Sequence, residues 1–342
     1  MKTILITGGS GFIGSNLVNY FLKKKYKVID LDILSYCSTP NKYRGLINIK
    51  NYQFVKANIN NKSKIINLFK SDKINSIYNL AANSHVDRSI DEPVKFYKSN
   101  VLSTLDFLES LLYLKKKKFF SGQVINISTD EVYGDVKKIA KNEDSTIETN
   151  SPYSASKASI ETIFRSYYKT FNLPFKNIRC CNNYGEYQHT EKFIPTIIIN
   201  CIAGKKIPIY GDGLQKREWI HVYDFCNAID FIEKKGKLGE NYNVGSNYRI
   251  ENISLAKKII KIVKSFNVNC NTSLIHKVKD RLGHDRNYKL NSNKLRKMGW
   301  KSSININHGL IKTVKWYLSN PKWIEYTKKK YDGERLGLKN DR

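Results

Sequence analysis

The sequence predicts an α/β protein built on a doubly wound parallel sheet, with a smaller, mostly C-terminal domain that binds a ligand. Three observations carry this. Apolar runs alternate with amphipathic stretches through the first half of the chain. A glycine-spaced turn follows the first run and opens the first helical pattern. After Asn182 the alternation stops, and Gly204, Pro208, Gly211 and Gly213 mark a loop-rich portion.

In chain order, strands are expected at Thr3 to Thr7, Lys27 to Asp32, Tyr52 to Lys56, Ser76 to Leu80, Gln123 to Ser128 and Phe175 to Cys180. Helices are expected between them at Phe12 to Lys25, Lys62 to Lys70, Pro93 to Leu114 and Tyr153 to Phe171. The stretch from Asp224 to Gly245 reads as a helix, then a strand (Tyr242 to Gly245) that returns to the sheet. The expected division is therefore 1–181 with 217–248 as one domain, and 182–216 with 249–342 as the other.

Composition excludes several classes. Hydrophobic residues at 41% and aromatics at 12% leave enough apolar side chain for a core, unlike a disordered chain. No stretch approaches the roughly 20 apolar residues of a membrane span, so no membrane partner is expected. Met1-Lys2-Thr3 runs directly into a strand pattern without a signal peptide, which predicts a cytoplasmic location. Cys37, Cys180, Cys181, Cys201, Cys226 and Cys270 form no C-x-x-C pair, so no metal site is expected and the thiols read as reduced and mostly buried. The net charge of +29 comes mainly from lysines spread along the chain, as at Lys23 to Lys25, Lys115 to Lys118 and Lys328 to Lys330. They read as a solvated surface that attracts anionic substrates, and no nucleic-acid partner is expected.

Gly8, Gly11 and Gly14 fall at G-x-x-G-x-x-G spacing between the first strand and the first helix. Glycine permits the tight turn and the close approach of backbone to a pyrophosphate, while the helix N-terminus offers free N–H groups. The second strand ends in Asp30-Leu31-Asp32, placing a carboxylate about 20 residues beyond the glycines, where one accepts from an adenosine ribose. Strand alternation turns Asp30 away and leaves Asp32 for the ribose. An acid there repels a 2′-phosphate, so the cofactor is NAD, bound in a Rossmann domain.

Tyr153 and Lys157 share one face of a helix at four-residue spacing. A free phenol, with a pKa of about 10, is a poor base at neutral pH. A nearby ammonium and a positive nicotinamide ring favour the phenolate. The fifth strand ends in Ser128-Thr129-Asp130-Glu131-Val132-Tyr133-Gly134, where the Thr129 hydroxyl can bind a reacting oxygen. Two adjacent acids there suit a step with one general acid and one general base, which a purely redox reaction would not need.

Together with Leu80-Ala81-Ala82, Ser84-His85-Val86-Asp87-Arg88-Ser89, Asn182-Asn183-Tyr184-Gly185, Gly211-Asp212-Gly213, Arg217-Glu218-Trp219-Ile220-His221-Val222 and Asp280-Arg281-Leu282-Gly283-His284-Asp285, these motifs resemble the dTDP-glucose 4,6-dehydratases among the extended short-chain dehydrogenases/reductases. The resemblance runs from residue 2 to about residue 300. It implies a hydro-lyase that oxidises C4 of a nucleoside-diphosphate-glucose (dTDP or UDP), eliminates water across C5 and C6, and returns the hydride to C6. NAD stays tightly bound throughout. Tyr153, with Lys157 and Thr129, takes the C4 hydroxyl proton; Glu131 takes the C5 proton; Asp130 protonates the leaving hydroxyl.

By the same resemblance Phe12, Ile13, Ser35, Asn58, Ile59, Leu80, Ala81, Ala82 and Ser99 join the glycines and Asp32 around NAD. Arg217 and Arg281 clasp the pyrophosphate, and Ser84, His85, Asn182, Lys192, Asn252, His284 and Tyr288 belong to the substrate site. A homodimer through the helices near 93–114 and 153–171 is implied as well. Asn58 stands for a usual Asp, Asn83 for a Glu, Cys181 for a Ser and Glu186 for a Pro, and none of these removes a catalytic group. A related epimerase or decarboxylase is the alternative, and Asp130 with Glu131 speaks against it. A basic nucleic-acid-binding protein would leave both residue pairs unexplained.

Overall fold

The computed structural model describes residues 1–331, 336 and 337; the last part of the expected second domain, at 332–335 and 338–342, lies outside the described residues. The first half runs β1 (Thr3–Thr7), α1 (Phe12–Lys23), β2 (Lys27–Asp32), α2 (Asn41–Arg44), β3 (Tyr52–Lys56), α3 (Lys62–Ser71), β4 (Ile74–Asn79), α4 (Val86–Asp91) and α5 (Pro93–Phe96). A π-helical turn (Tyr97–Leu102) leads to α6 (Ser103–Lys116), β5 (Gln123–Thr129), a 3-10 turn (Asp130–Tyr133), α7 (Pro152–Phe171) and β6 (Phe175–Cys180). The rest comprises β7 (Asn182–Tyr184), α8 (Phe193–Ala203), β8 (Ile207–Tyr210), β9 (Lys216–His221), α9 (Val222–Lys235), β10 (Asn241–Val244), β11 (Arg249–Glu251), α10 (Asn252–Lys264), β12 (Ile275–Val278), α11 (Asn293–Lys297), α12 (Ile306–Ser319) and α13 (Pro321–Lys328).

The main sheet has seven parallel strands in the order β10-β6-β5-β4-β1-β2-β3. β1, β5 and β6 are buried almost throughout because helices cover both faces of the sheet. One core layer joins the sheet to α1 and α9 through Leu17, Phe21, Phe225 and Ile229. The other joins it to α3, α6 and α7 through Ile65, Phe107, Leu111 and Phe164. The strand order reverses between β1 and β4, and a crevice opens at their carboxyl ends.

A separate core gathers α8, α10 and α12 around Ile197, Leu255, Ile259 and Leu310. Two small sheets, β11-β9-β7 and β12-β8, lie beside it. β9 bonds β7 and β11, while β10, in the stretch where the sequence predicts a returning strand, joins the main sheet against β6.

The expected single helix from Pro93 to Leu114 is α5, the π-helical turn and α6. A buried side chain accounts for the break in periodicity. Asn100 accepts from Asn83 N at 2.7 Å and donates to Asn83 O and to Ser156 Oγ, each at 3.0 Å. α7 begins where the sequence demands it. Ser151 and Ser154 cap each other's backbone, Pro152 takes the first turn, and Asn172 at φ +54° ends the helix.

Candidate active site

At the crevice, Gly8 adopts φ +69°, and a Cβ there would lie 2.8 Å from Ala81 N, so the turn admits only glycine. Gly11 caps α1 without a side chain, and the first turn holds no acid, which leaves its N–H groups for an anion. Asp32 accepts from Ser10 N (3.1 Å), Leu34 N (2.7 Å) and Ser38 Oγ (3.0 Å) while lining the cleft. A carboxylate has about four acceptor positions, so capacity for a ribose hydroxyl remains. Asp30 faces away, ion-paired with Arg44 at 2.7 Å, and Arg44 also binds Gly9 O and so braces the glycine turn.

Gly14, Phe12, Ile13, Ser35, Asn58, Ile59, Leu80, Ala81, Ala82 and Ser99 line the same cleft, as do Tyr153 and Lys157. The bare glycine cradle, the open helix N-terminus and the acid at the end of β2 fit a dinucleotide. Asn58 accepts from its own neighbour Asn60 N at 3.3 Å and keeps a second lone pair.

The acids sit beside this cleft because β5 ends there and Thr129 caps the 3-10 turn, its Oγ1 accepting from Glu131 N at 3.2 Å. Burial, and then the Glu131 charge, push Asp130 well above the carboxylate range. Burial also raises Glu131, but Arg281 and Arg217 oppose it. Asp130 is thus raised further than Glu131, which suits Asp130 to the acid and Glu131 to the base of such a pair.

Tyr153 departs from expectation. Its neighbours push the phenol well above 10: burial first, then the Glu131 charge, with the Thr129 hydroxyl acting in the other direction. Lys157 turns its Nζ to Ile127 O at 2.6 Å instead, and burial pushes its ammonium down to about 8.

A second cavity, of about 830 Å³, adjoins the first. Ser84, His85, Asn182, Lys192, Arg217, Asn252, Arg281, His284 and Tyr288 all line it, together with Glu131. Its size suits a nucleotide-sized ligand. Arg217 lies 4.1 Å from the Tyr288 ring centre and donates to Asp285 O at 2.7 Å and Lys216 O at 3.0 Å. Arg281 is paired with Asp87 at 2.5 Å, so one of its two edges is taken before any phosphate arrives. His284 is held neutral, at about 4, by burial and by Arg281; its Nδ1–H donates to Asp280 at 2.6 Å. Burial and Lys192 likewise keep His85 neutral. Lys192 Nζ donates to Ser84 O at 3.0 Å.

Buried polar atoms without protein partners line the two cavities, among them His85 Nδ1, Asp130 Oδ2, Asn182 Oδ1, Asn183 Oδ1 and Gln188 Oε1. Such atoms are costly unless a polar ligand satisfies them. Sequence reading assigned no role to Glu191, which faces both cavities and accepts from Tyr36 Oη (2.8 Å) and Arg88 Nε (3.3 Å), nor to Asp87. An acid beside the expected Lys192 was the available signal, but its partners come from distant loops. Among the described residues no cluster of His, Cys, Asp and Glu is placed to hold a metal, and no helix is long and apolar enough to cross a membrane.

A family model described as GDP-mannose 4,6 dehydratase matches residues 5–313. The dTDP-glucose 4,6-dehydratase of Xanthomonas campestris pv. campestris is 37% identical over 335 residues, covering 95% of each chain. The crystal structure of dTDP-glucose 4,6-dehydratase from Bacillus anthracis in complex with NAD superposes with a TM-score of 0.86 at 39% identity, over 96% of this chain and all (100%) of that one. The Streptomyces venezuelae enzyme of the same name, solved with NAD bound, gives 0.88 at 36% identity, over 95% of this chain and 100% of that one.

Proposed function

The chain belongs to the dTDP-glucose 4,6-dehydratase family, and from that premise we propose that it is an NAD-dependent hydro-lyase converting dTDP-glucose to the 4-keto-6-deoxyglucose nucleotide. The observation that carries the reading is the Asp130–Glu131 pair, split by its surroundings into acid and base, opening onto the cavity that also borders Tyr153 and Lys157. An epimerase has no use for such a pair.

NAD held by the glycine turn, the α1 N-terminus and Asp32 supplies the hydride acceptor for C4, the positive charge that favours the Tyr153 phenolate, and the hydride returned to C6. The chain's own groups move the protons. Tyr153 takes the C4 hydroxyl proton, with Thr129 binding the same oxygen. The resulting ketone acidifies C5, whose proton passes to Glu131. Asp130, kept neutral by burial, protonates the C6 hydroxyl as it leaves as water. Arg217 and the free edge of Arg281 bind the diphosphate. Asn182, Asn252, His284 and Tyr288 orient the rest of the nucleotide sugar.

Residues 1–181 with 217–248 form the cofactor-binding domain of this proposal, and 182–216 with 249–342 the nucleotide-sugar domain. Exposed Val94, Tyr97, Leu102, Tyr113 and Phe171, on the helices expected at the interface, support a homodimer. Six free cysteines support the reducing cytoplasm.

Product formation from dTDP-glucose and UDP-glucose, measured in parallel without added cofactor, tests the function. Product from dTDP-glucose with loss of one water supports it, and the better substrate names the base. Absence of product from both, even with NAD added, overturns it.

The pH–rate profile follows from the buried groups. Glu131 and Tyr153 both work only when deprotonated, so the higher of the two sets the acid limb, and burial, which raises both, places it above the usual carboxylate value of about 4.3. Lys157 works only when charged, so activity is lost as pH rises through about 8. An alkaline limb that stays near about 10, the value of a free lysine, would remove Lys157 from this role.

A further inference from the structure

The oxidation and elimination groups stand on different elements: Tyr153 and Lys157 on α7, Asp130 and Glu131 on the 3-10 turn. Both pairs must address one sugar ring, and a misplacement of about 1 Å between reacting groups costs on the order of 10²-fold.

One buried side chain holds the two elements together. Arg179 lies on β6, opposite Ser128 of β5 and Asn243 of β10, and is 3% exposed. Its Nε and Nη2 donate to the Glu161 carboxylate at 3.0 and 2.6 Å. Glu161 stands one helical turn beyond Lys157 on α7. Nη1 of the same guanidinium donates to the Tyr133 phenol oxygen at 2.6 Å, and the guanidinium carbon lies 4.8 Å from that ring's centre. Tyr133 is the last residue of the 3-10 turn, and its hydroxyl donates onward to Asn243 Oδ1 at 2.9 Å.

Arg179, Glu161 and Tyr133 line neither cavity, so the triad meets no ligand. A buried ion pair is a weak source of stability, because desolvation offsets its attraction; fixing one geometry is its better-attested use.

We propose that Arg179 is a positioning residue: through Glu161 and Tyr133 it sets the Tyr153–Lys157 pair at a fixed distance from the Asp130–Glu131 pair. The proposal rests on the dehydratase reading, since only oxidation and elimination on the same ring require both pairs in register. Loosening the triad acts on the later step. The C4 alcohol still gives its hydride to NAD and its proton to Tyr153. The ketone then waits for Glu131 to take the C5 proton and Asp130 to protonate the departing C6 hydroxyl. Oxidation outpaces elimination, and the reduced cofactor builds up.

The test compares Tyr133→Phe and Glu161→Gln holoenzymes with the wild type on dTDP-glucose, following product, near-ultraviolet absorbance of the reduced cofactor, KM and thermal unfolding. Product formation is expected to fall about fivefold to tenfold, the loss of one buried hydrogen bond, with KM unchanged and reduced cofactor accumulating during turnover. A fall in thermal stability with unaltered turnover overturns the proposal, and so does slower turnover without reduced cofactor. If Glu161→Gln does not fold, Tyr133→Phe decides, because it keeps the ring and its packing. A wild-type enzyme that makes no product removes the dehydratase reading itself, which is a separate result.

Discussion

Glu131→Gln is expected to lower product formation by about 10²- to 10⁴-fold while leaving oxidation at C4 in place. The amide keeps the size of the side chain and can still accept the 3.5 Å contact from Tyr288 Oη, but it cannot take a proton from C5. Tyr153, Lys157 and Thr129 are untouched, so the first hydride transfer goes forward and the reaction halts at the ketone. Mixing the variant holoenzyme with dTDP-glucose should give reduced cofactor approaching one equivalent per site and little 6-deoxy product. Exchange of the C5 hydrogen with solvent deuterium should disappear along with the product. A variant that turns over at the wild-type rate, or stalls before any cofactor is reduced, would remove Glu131 from the elimination.

Tyr153→Phe should stop the reaction one step earlier. The phenyl ring fills the same buried position, so the fold is retained, but the acceptor for the C4 hydroxyl proton is gone. A loss of about 10²- to 10⁴-fold is expected here too, this time with no reduced cofactor at any stage. The pair of variants thus separates the two chemistries by one spectroscopic signal, present in Glu131→Gln and absent in Tyr153→Phe. Reduced cofactor appearing at the wild-type rate in Tyr153→Phe would show that another group takes the proton.

Several features were legible along the chain because local rules govern them. The G-x-x-G-x-x-G turn, the acid ending β2 and the alternation of strand and helix depend on backbone conformation and periodicity within short windows. Tyr153 and Lys157 share a helix face for the same reason. Other features depend on residues far apart in sequence. The break at Tyr97–Leu102 accompanies Asn100 bonding to Asn83 and Ser156, and helical periodicity alone gives no sign of it. Nothing in the chain's order shows that Asp87, 194 positions before Arg281, holds one edge of that guanidinium.

The doubly wound sheet, the dinucleotide cleft and the residue types of the candidate active site follow from the chain's own order, since each rests on spacing that a local stretch imposes. How those residues are charged and held depends on contacts between distant parts of the folded chain. Burial raises both Asp130 and Glu131, Asp130 the further, because two distant arginines oppose the shift at Glu131. Lys157 answers to Ile127 O, and the Tyr153 phenol is raised by burial and by Glu131. Desolvation and Coulomb forces depend on distance through space, and the fold alone sets those distances.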